Sequence, residues 1–92
     1  MSKEAADILR NAKAKIDTPE KWAHSAADFN AGKHCPATAI NTTAFNRHTN
    51  DAFELFQQVV GSKIAAWNDA PDRTHAEVMQ AFDKAIALAE SK

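Results

Sequence analysis

Apolar residues recur every three or four positions through most of this chain, which is the spacing of one face of an α-helix. In the first segment this face consists of Ala5, Ile8, Leu9, Ala12 and Ile16. The opposite face is charged, and Ser2 is placed to cap the segment. The pattern predicts a first helix that ends near Ile16.

Prolines mark the next two predicted helix starts. Thr18 is a good N-cap and Pro19 suits the first helical position, which predicts a second helix over residues 19–29. Its apolar stripe would be Trp22, Ala26 and Phe29. Pro36 begins a shorter predicted helix over residues 36–45, in a stretch rich in threonine and asparagine, which are mediocre helix formers.

The second half of the chain continues the helical pattern. Thr49 or Asn50 caps a predicted helix that runs to about Val60. Its apolar arc is wider than one partner helix requires, so we expect this helix to be central or to form part of an oligomer face. A short helical turn is predicted to follow from Ser62 through Trp67, before a break at residues 68–72.

The last helix has the clearest start signal in the sequence. Thr74 and Glu77 have the spacing of a capping box, in which each side chain meets a free backbone amide of the first turn. The stripe that follows is Val78, Phe82, Ala85 and Ala89, flanked by Met79, Ile86 and Leu88. Together these patterns predict an all-α fold, a compact bundle of about four to five short helices that forms a single domain over residues 1–92.

The amino-acid composition also favours an all-α fold and argues against general nucleic-acid binding. The chain has only two glycines and no tyrosine, and its 11 basic and 12 acidic residues give a net charge of −1. This balance disfavours general nucleic-acid binding, which needs many cations for the phosphates. With one cysteine, no apolar signal at the start and no apolar run of about 20 residues, we expect a cytoplasmic protein outside the membrane.

Polar hydrogen-bonding residues crowd between the last two predicted helices. We call residues 67–75 the polar segment, and its candidate binding residues are Trp67, Asn68, Asp69, Asp72, Arg73, Thr74 and His75. A guanidinium beside a helix start can hold an anion. The simpler interpretation is that these side chains satisfy a turn and a cap, for which the same residue types are routinely used.

A window without acidic residues between Asp28 and Asp51 offers secondary candidates. Its cationic or potentially cationic residues are Lys33, His34, Arg47 and His48. Such a set could hold an anion. A solvated surface is the better explanation, because four scattered groups over so long a window are weak evidence for a site.

Cys35 is the remaining reactive residue. A cysteine at a helix start before proline can be a nucleophile, whereas a lone cysteine in a small helical domain is more often a packing residue. The histidines and Cys35 do not have the spacing of a zinc site. We therefore expect no catalytic residue, no bound metal and no cofactor.

The stretch WNDAPDRTHAEV at positions 67–78, followed by an alanine-rich helix, resembles an uncharacterised small domain family of bacteria and their phages. The likeness extends to the PEKW stretch at positions 19–22 and to a cysteine-containing middle. The resemblance implies a phage or mobile-element context and no assigned chemistry.

Three functions are consistent with these observations. The first is a non-enzymatic interaction protein, expected to be a homo-oligomer, which in a phage would act on a host defence component. The second is a binder of a small anionic molecule such as a nucleotide, through Arg73 and the helix start. The third, a thiol or hydrolytic enzyme that uses Cys35 or Asp69 with a histidine, has no recognisable order of catalytic groups.

Overall fold

The helical pattern of the sequence becomes five α-helices in a computed structural model that describes residues 3–24, 33–44 and 46–91. The helices are α1 (Lys3–Lys15), α2 (Pro36–Thr43), α3 (Arg47–Val60), α4 (Ile64–Asn68) and α5 (His75–Glu90). A 3₁₀ turn at Pro19–Lys21 follows α1. The prediction of an all-α bundle of four to five short helices is confirmed. In these ranges no helix is long and apolar enough to cross a membrane.

Helices α1 and α5 lie side by side in the centre of the bundle. Arg10 pairs with Glu90, and Lys13 pairs with Asp83 at 2.6 Å, so the two helices run antiparallel. Both helices contribute small residues to the core that are almost completely buried: Ala5, Ala12, Ala81, Ala85 and Ala89. Because alanine side chains are small, buried alanines allow neighbouring helices to approach closely.

Aromatic side chains connect α3 to α5. Phe56 and Phe82 are both fully buried, and their ring centroids are 4.8 Å apart with the planes at 63°. This edge-to-face arrangement is favourable for aromatic pairs. Phe56 also meets the ring of Trp67 on α4 edge-on, at 5.8 Å, so one ring joins three helices.

The prediction of a helix over residues 19–29 is wrong for residues 19–24, which are the part of this range that the structure describes. After Pro19–Lys21 the chain is extended: the Ala23 amide donates to the His34 carbonyl at 2.9 Å, and the His34 amide donates to the Lys21 carbonyl at 3.1 Å. These two bonds replace helical ones, because a distant segment supplies the partners. Ala26 and Phe29 lie outside the described residues.

The predicted bounds of the other helices need only small corrections. Helix α3 begins earlier than predicted because Asn46 is its N-cap, and the Asn46 side chain accepts from the His48 amide at 2.8 Å. Thr49 is instead buried in the first turn and donates its hydroxyl to the Ala44 carbonyl. Helix α4 starts after Lys63 rather than at Ser62. Ser2 and Phe45 lie outside the described residues.

Candidate functional site

Asn68 is the structural centre of the polar segment. It is fully buried, and its Oδ1 accepts a hydrogen bond of 2.6 Å from the indole Nε1 of Trp22. Its Nδ2 donates to the Ala23 carbonyl at 2.8 Å and to the Asp69 carboxylate at 3.2 Å. A buried amide must be paired to be tolerated, and this one is paired on both sides. Asn68 therefore holds the extended segment against α4.

Two histidines complete this attachment. The Nε2 of His24 lies 2.8 Å from the Ala70 carbonyl, and the Nε2 of His75 lies 2.8 Å from the Ile16 carbonyl. Carbonyl oxygens only accept, so Nε2 carries the proton in both rings. The rings flank Trp22, at centroid distances of 4.8 Å and 6.0 Å. His24 therefore fastens the extended segment to the polar segment, and His75 fastens the end of α1 to it.

The start of α5 is occupied by its own capping box. The Thr74 hydroxyl accepts from the Glu77 amide at 3.2 Å, and the Glu77 carboxylate accepts from the Thr74 amide at 2.9 Å. The backbone bond from Thr74 is the main reason that the pKa of Glu77 lies below its ordinary value. An external anion at this helix start would have to compete with a carboxylate already in place.

Trp67 and Arg73 form a stacked pair between α4 and α5. The Arg73 Cζ lies 4.2 Å from the centre of the Trp67 ring, a cation–π distance. The Arg73 Nε donates to the Trp67 carbonyl at 2.8 Å, and one terminal nitrogen lies 3.4 Å from Glu77. These contacts fix the guanidinium, whose side chain keeps 20% of its surface exposed.

This stacked pair forms one wall of a cleft of about 210 Å³ between α3 and α5, which we call the α3–α5 cleft. It is lined by Val59, Val60, Trp67, Arg73, Glu77, Gln80, Ala81 and Lys84. The lining residues that belong to α5 follow one another at intervals of one or three positions, so they lie on one face of the helix. The cleft is therefore lined by apolar side chains together with two cations and one anion.

A model of DUF6197, a family of unknown function, matches residues 1–88. The chain belongs to this family. The match confirms the resemblance to an uncharacterised domain family and includes every residue of the α3–α5 cleft. No curated protein and no solved structure shows significant similarity to the chain.

Within this DUF6197 member the predicted site residues divide into three groups. Asn68, Asp69, Thr74 and His75 make the internal bonds described above. Trp67 and Arg73 face the α3–α5 cleft. Asp72 is exposed and has no side-chain partner among the described residues.

Sequence reasoning missed the rest of the cleft. Val59 and Val60 come from the end of α3, while Gln80, Ala81 and Lys84 come from α5. One signal could have found the two valines, namely the apolar arc of α3 that is too wide for one neighbour. No local signal marks Gln80 or Lys84, because their role depends on which face α5 turns toward α3.

The secondary candidates do not form one cluster. Lys33 and His34 precede α2, whereas Arg47 and His48 begin α3. The eight residues of α2 separate the two pairs by about 12 Å of helix. The Nδ1 of His48 lies 3.8 Å from the Asp51 carboxylate, so an acidic side chain lies next to this pair of candidate residues.

Cys35 is a packing and capping residue in this fold. Only 4% of its surface is exposed, and its sulfur accepts a contact of 3.6 Å from the Thr38 hydroxyl. The Cys35 amide donates to the same hydroxyl at 3.0 Å, which fastens the start of α2. Within residues 3–24, 33–44 and 46–91, no three His, Cys, Asp or Glu side chains are grouped as a metal site would require.

Proposed function

We propose that this protein is a non-enzymatic binding protein that takes a side chain of a protein partner into the α3–α5 cleft. The observation that carries the proposal is the Trp67 and Arg73 stack beside half-buried Val59 and Val60. Tryptophan and arginine are the residue types that most often dominate protein interfaces.

The stack is held in place before any partner arrives. Arg73 is fixed by the Trp67 carbonyl, and Trp67 lies on the helix that Asn68 fastens to the extended segment. A side chain that is already ordered loses little conformational entropy when it binds. This preorganisation supports a recognition role for the polar segment, even though most of its side chains bond internally.

The size of the cleft favours a protein side chain over the second candidate, a nucleotide or another small anionic molecule. Sites that enclose such ligands usually measure roughly 300–1,000 Å³. The α3–α5 cleft measures about 210 Å³, enough for one anchoring side chain. Its two cations, Arg73 and Lys84, are the feature that still favours an anion.

Site-specific photo-crosslinking in the producing cells tests the proposal. A photoreactive residue at Gln80, inside the cleft, should crosslink a defined partner, whereas the same residue at exposed Gln57 on α3 should not. The mass of the crosslinked product shows whether the partner is a second copy of the chain, as in the expected homo-oligomer, or a different protein. A host component is an example of the second case. Equal crosslinking at both positions, or none at Gln80, would contradict the proposal.

A further inference from the structure

The surface that the α3–α5 cleft offers to a ligand is mainly polar. Glu77, Gln80 and Lys84 are exposed, whereas Ala81 keeps only 4% of its surface exposed. An apolar side chain would find little apolar surface to cover here, so the hydrophobic effect contributes little to binding. The cleft must therefore recognise its occupant mainly through charge and hydrogen bonds.

The ionisable residues of the lining make the cleft positive. Arg73 and Lys84 are cations, and Glu77 is the one anion among the lining residues. Glu77 is shared between the Thr74 amide and Arg73, whereas Lys84 has no side-chain partner in the part of the chain that the structure describes. This balance favours an anionic occupant and repels a cationic one, and Lys84 need not touch the ligand to contribute to it.

Arg73 is the group that can bind an anion directly. Its Nε donates to the Trp67 carbonyl at 2.8 Å, and its Nη1 lies 3.4 Å from the Glu77 carboxylate. Nη2 has no hydrogen-bond partner among the described residues and is not buried. The stack on Trp67, at 4.2 Å, fixes the plane of the guanidinium. An oriented guanidinium with free N–H groups is well suited to a carboxylate.

We infer that the α3–α5 cleft binds an acidic side chain of a partner protein, an aspartate or glutamate whose carboxylate accepts from Nη2 of Arg73. The inference rests on the proposed function and specifies the chemistry of the side chain that enters the cleft. The volume of about 210 Å³ has room for one such side chain. A phosphorylated side chain fits less well, because its second negative charge would lie beside the carboxylate of Glu77.

Selection of random phage-displayed peptides on the intact protein tests this inference. Peptides that bind the wild type but not Arg73→Gln are synthesised, and their Kd is measured by fluorescence polarisation. Each should contain an aspartate or glutamate whose replacement by asparagine or glutamine raises the Kd about tenfold or more, because a charge-assisted hydrogen bond is lost. The Kd should also rise several-fold from about 50 mM to about 500 mM sodium chloride.

The matched control is Arg47→Gln, which removes the same charge from an exposed arginine at the start of α3, outside the cleft. This variant should bind the selected peptides as tightly as the wild type. The exchange of acid for amide is made in the peptide, so its result does not depend on the stability of Arg73→Gln.

Three results would overturn the inference: no peptide that distinguishes the wild type from Arg73→Gln, an acid-to-amide exchange without effect on the Kd, or tighter binding when phosphoserine replaces the acid. Crosslinking at Gln80 separates these results from a failure of the proposed function. If a defined partner is crosslinked at Gln80 while the acid-to-amide exchange has no effect, the proposed function stands and only the acidic chemistry is wrong.

Discussion

Asn68 shows how one polar side chain can organise a small helical protein. Its amide is fully buried and bonds to the indole and carbonyl of a segment 45 and 46 positions away. A leucine would fill similar space but would leave both partners without hydrogen bonds. Because unpaired buried groups are expensive, Asn68 makes the extended conformation of residues 22 and 23 the preferred one.

Removing this amide should destabilise the protein strongly. In Asn68→Ala, the Trp22 indole and the Ala23 carbonyl lose their partner, and each unsatisfied group costs about 1–3 kcal/mol. We expect the free energy of unfolding to fall by about 2–4 kcal/mol, measured by urea denaturation. Asn50→Ala, at an exposed position on α3, should change it by less than about 0.5 kcal/mol. Similar losses for the two variants would show that Asn68 is not the attachment point.

The capping carboxylate of Glu77 should make stability depend on pH in one direction. Its pKa in the folded protein lies below the ordinary 4.5, mainly because its carboxylate accepts from the Thr74 backbone. The stabilisation is therefore complete above pH 4.5 and is lost as pH falls through the lowered pKa.

Urea denaturation of the wild type and Glu77→Gln at several pH values tests this. The free energy of unfolding of the wild type minus that of Glu77→Gln should be constant above pH 4.5. Below pH 4.5 this difference should fall, because the wild type loses the stabilisation that the ionised Glu77 provides. Glu20, whose pKa is also lowered, is present in both proteins, so its contribution cancels. A difference that moves in favour of the wild type at low pH would contradict the assignment.

At the level of elements, the bundle depends on close contact between α1 and α5. The Ala85 side chain is fully buried, whereas Ala87, two positions along the same helix, is exposed. The same substitution at the two positions therefore separates packing from helix propensity.

Ala85→Leu should lower stability by about 1–3 kcal/mol, because added methylene groups in a filled core force the helices apart. Ala87→Leu should be nearly neutral, because leucine is a good helix former and this side is open to solvent. Thermal unfolding followed by circular dichroism checks both variants. A neutral Ala85→Leu would mean that the core around Ala85 has free space.

Contacts within one helical turn could be predicted from the sequence, whereas contacts between distant segments could not. The capping box of Thr74 and Glu77 was predictable because both partners lie within one helical turn. The extended backbone at Trp22 was not, because its partners are His34 and Asn68, far away in the sequence. Likewise, Trp67 and Arg73 were predictable as candidates, but the cleft they line depends on how α3 and α5 pack.

At the level of the whole molecule, one aromatic ring contributes a large share of the stability. A protein of this size is stabilised by only about 5–10 kcal/mol in total. Phe56 is fully buried and contacts both Phe82 and Trp67, which makes it the point where three helices meet.

Phe56→Ala should therefore lower the free energy of unfolding by about 3–5 kcal/mol, through lost apolar burial and the remaining cavity. The melting temperature should fall by about 12 °C or more, since each kcal/mol is worth about 4–8 °C at this size. Phe53→Ala, at a half-buried position on the same helix, should cost less. Equal losses at the two positions would argue against a common core at Phe56.

The different surroundings of the two tryptophans have a spectroscopic consequence. Trp22 is buried and bonded to Asn68, whereas Trp67 is half-buried beneath a guanidinium at the edge of the α3–α5 cleft. Their native fluorescence should therefore contain two components, of which a soluble quencher reaches only the one from Trp67. Trp22 emission then reports unfolding and Trp67 emission reports occupancy of the cleft, so the unlabelled protein carries separate optical signals for stability and for binding.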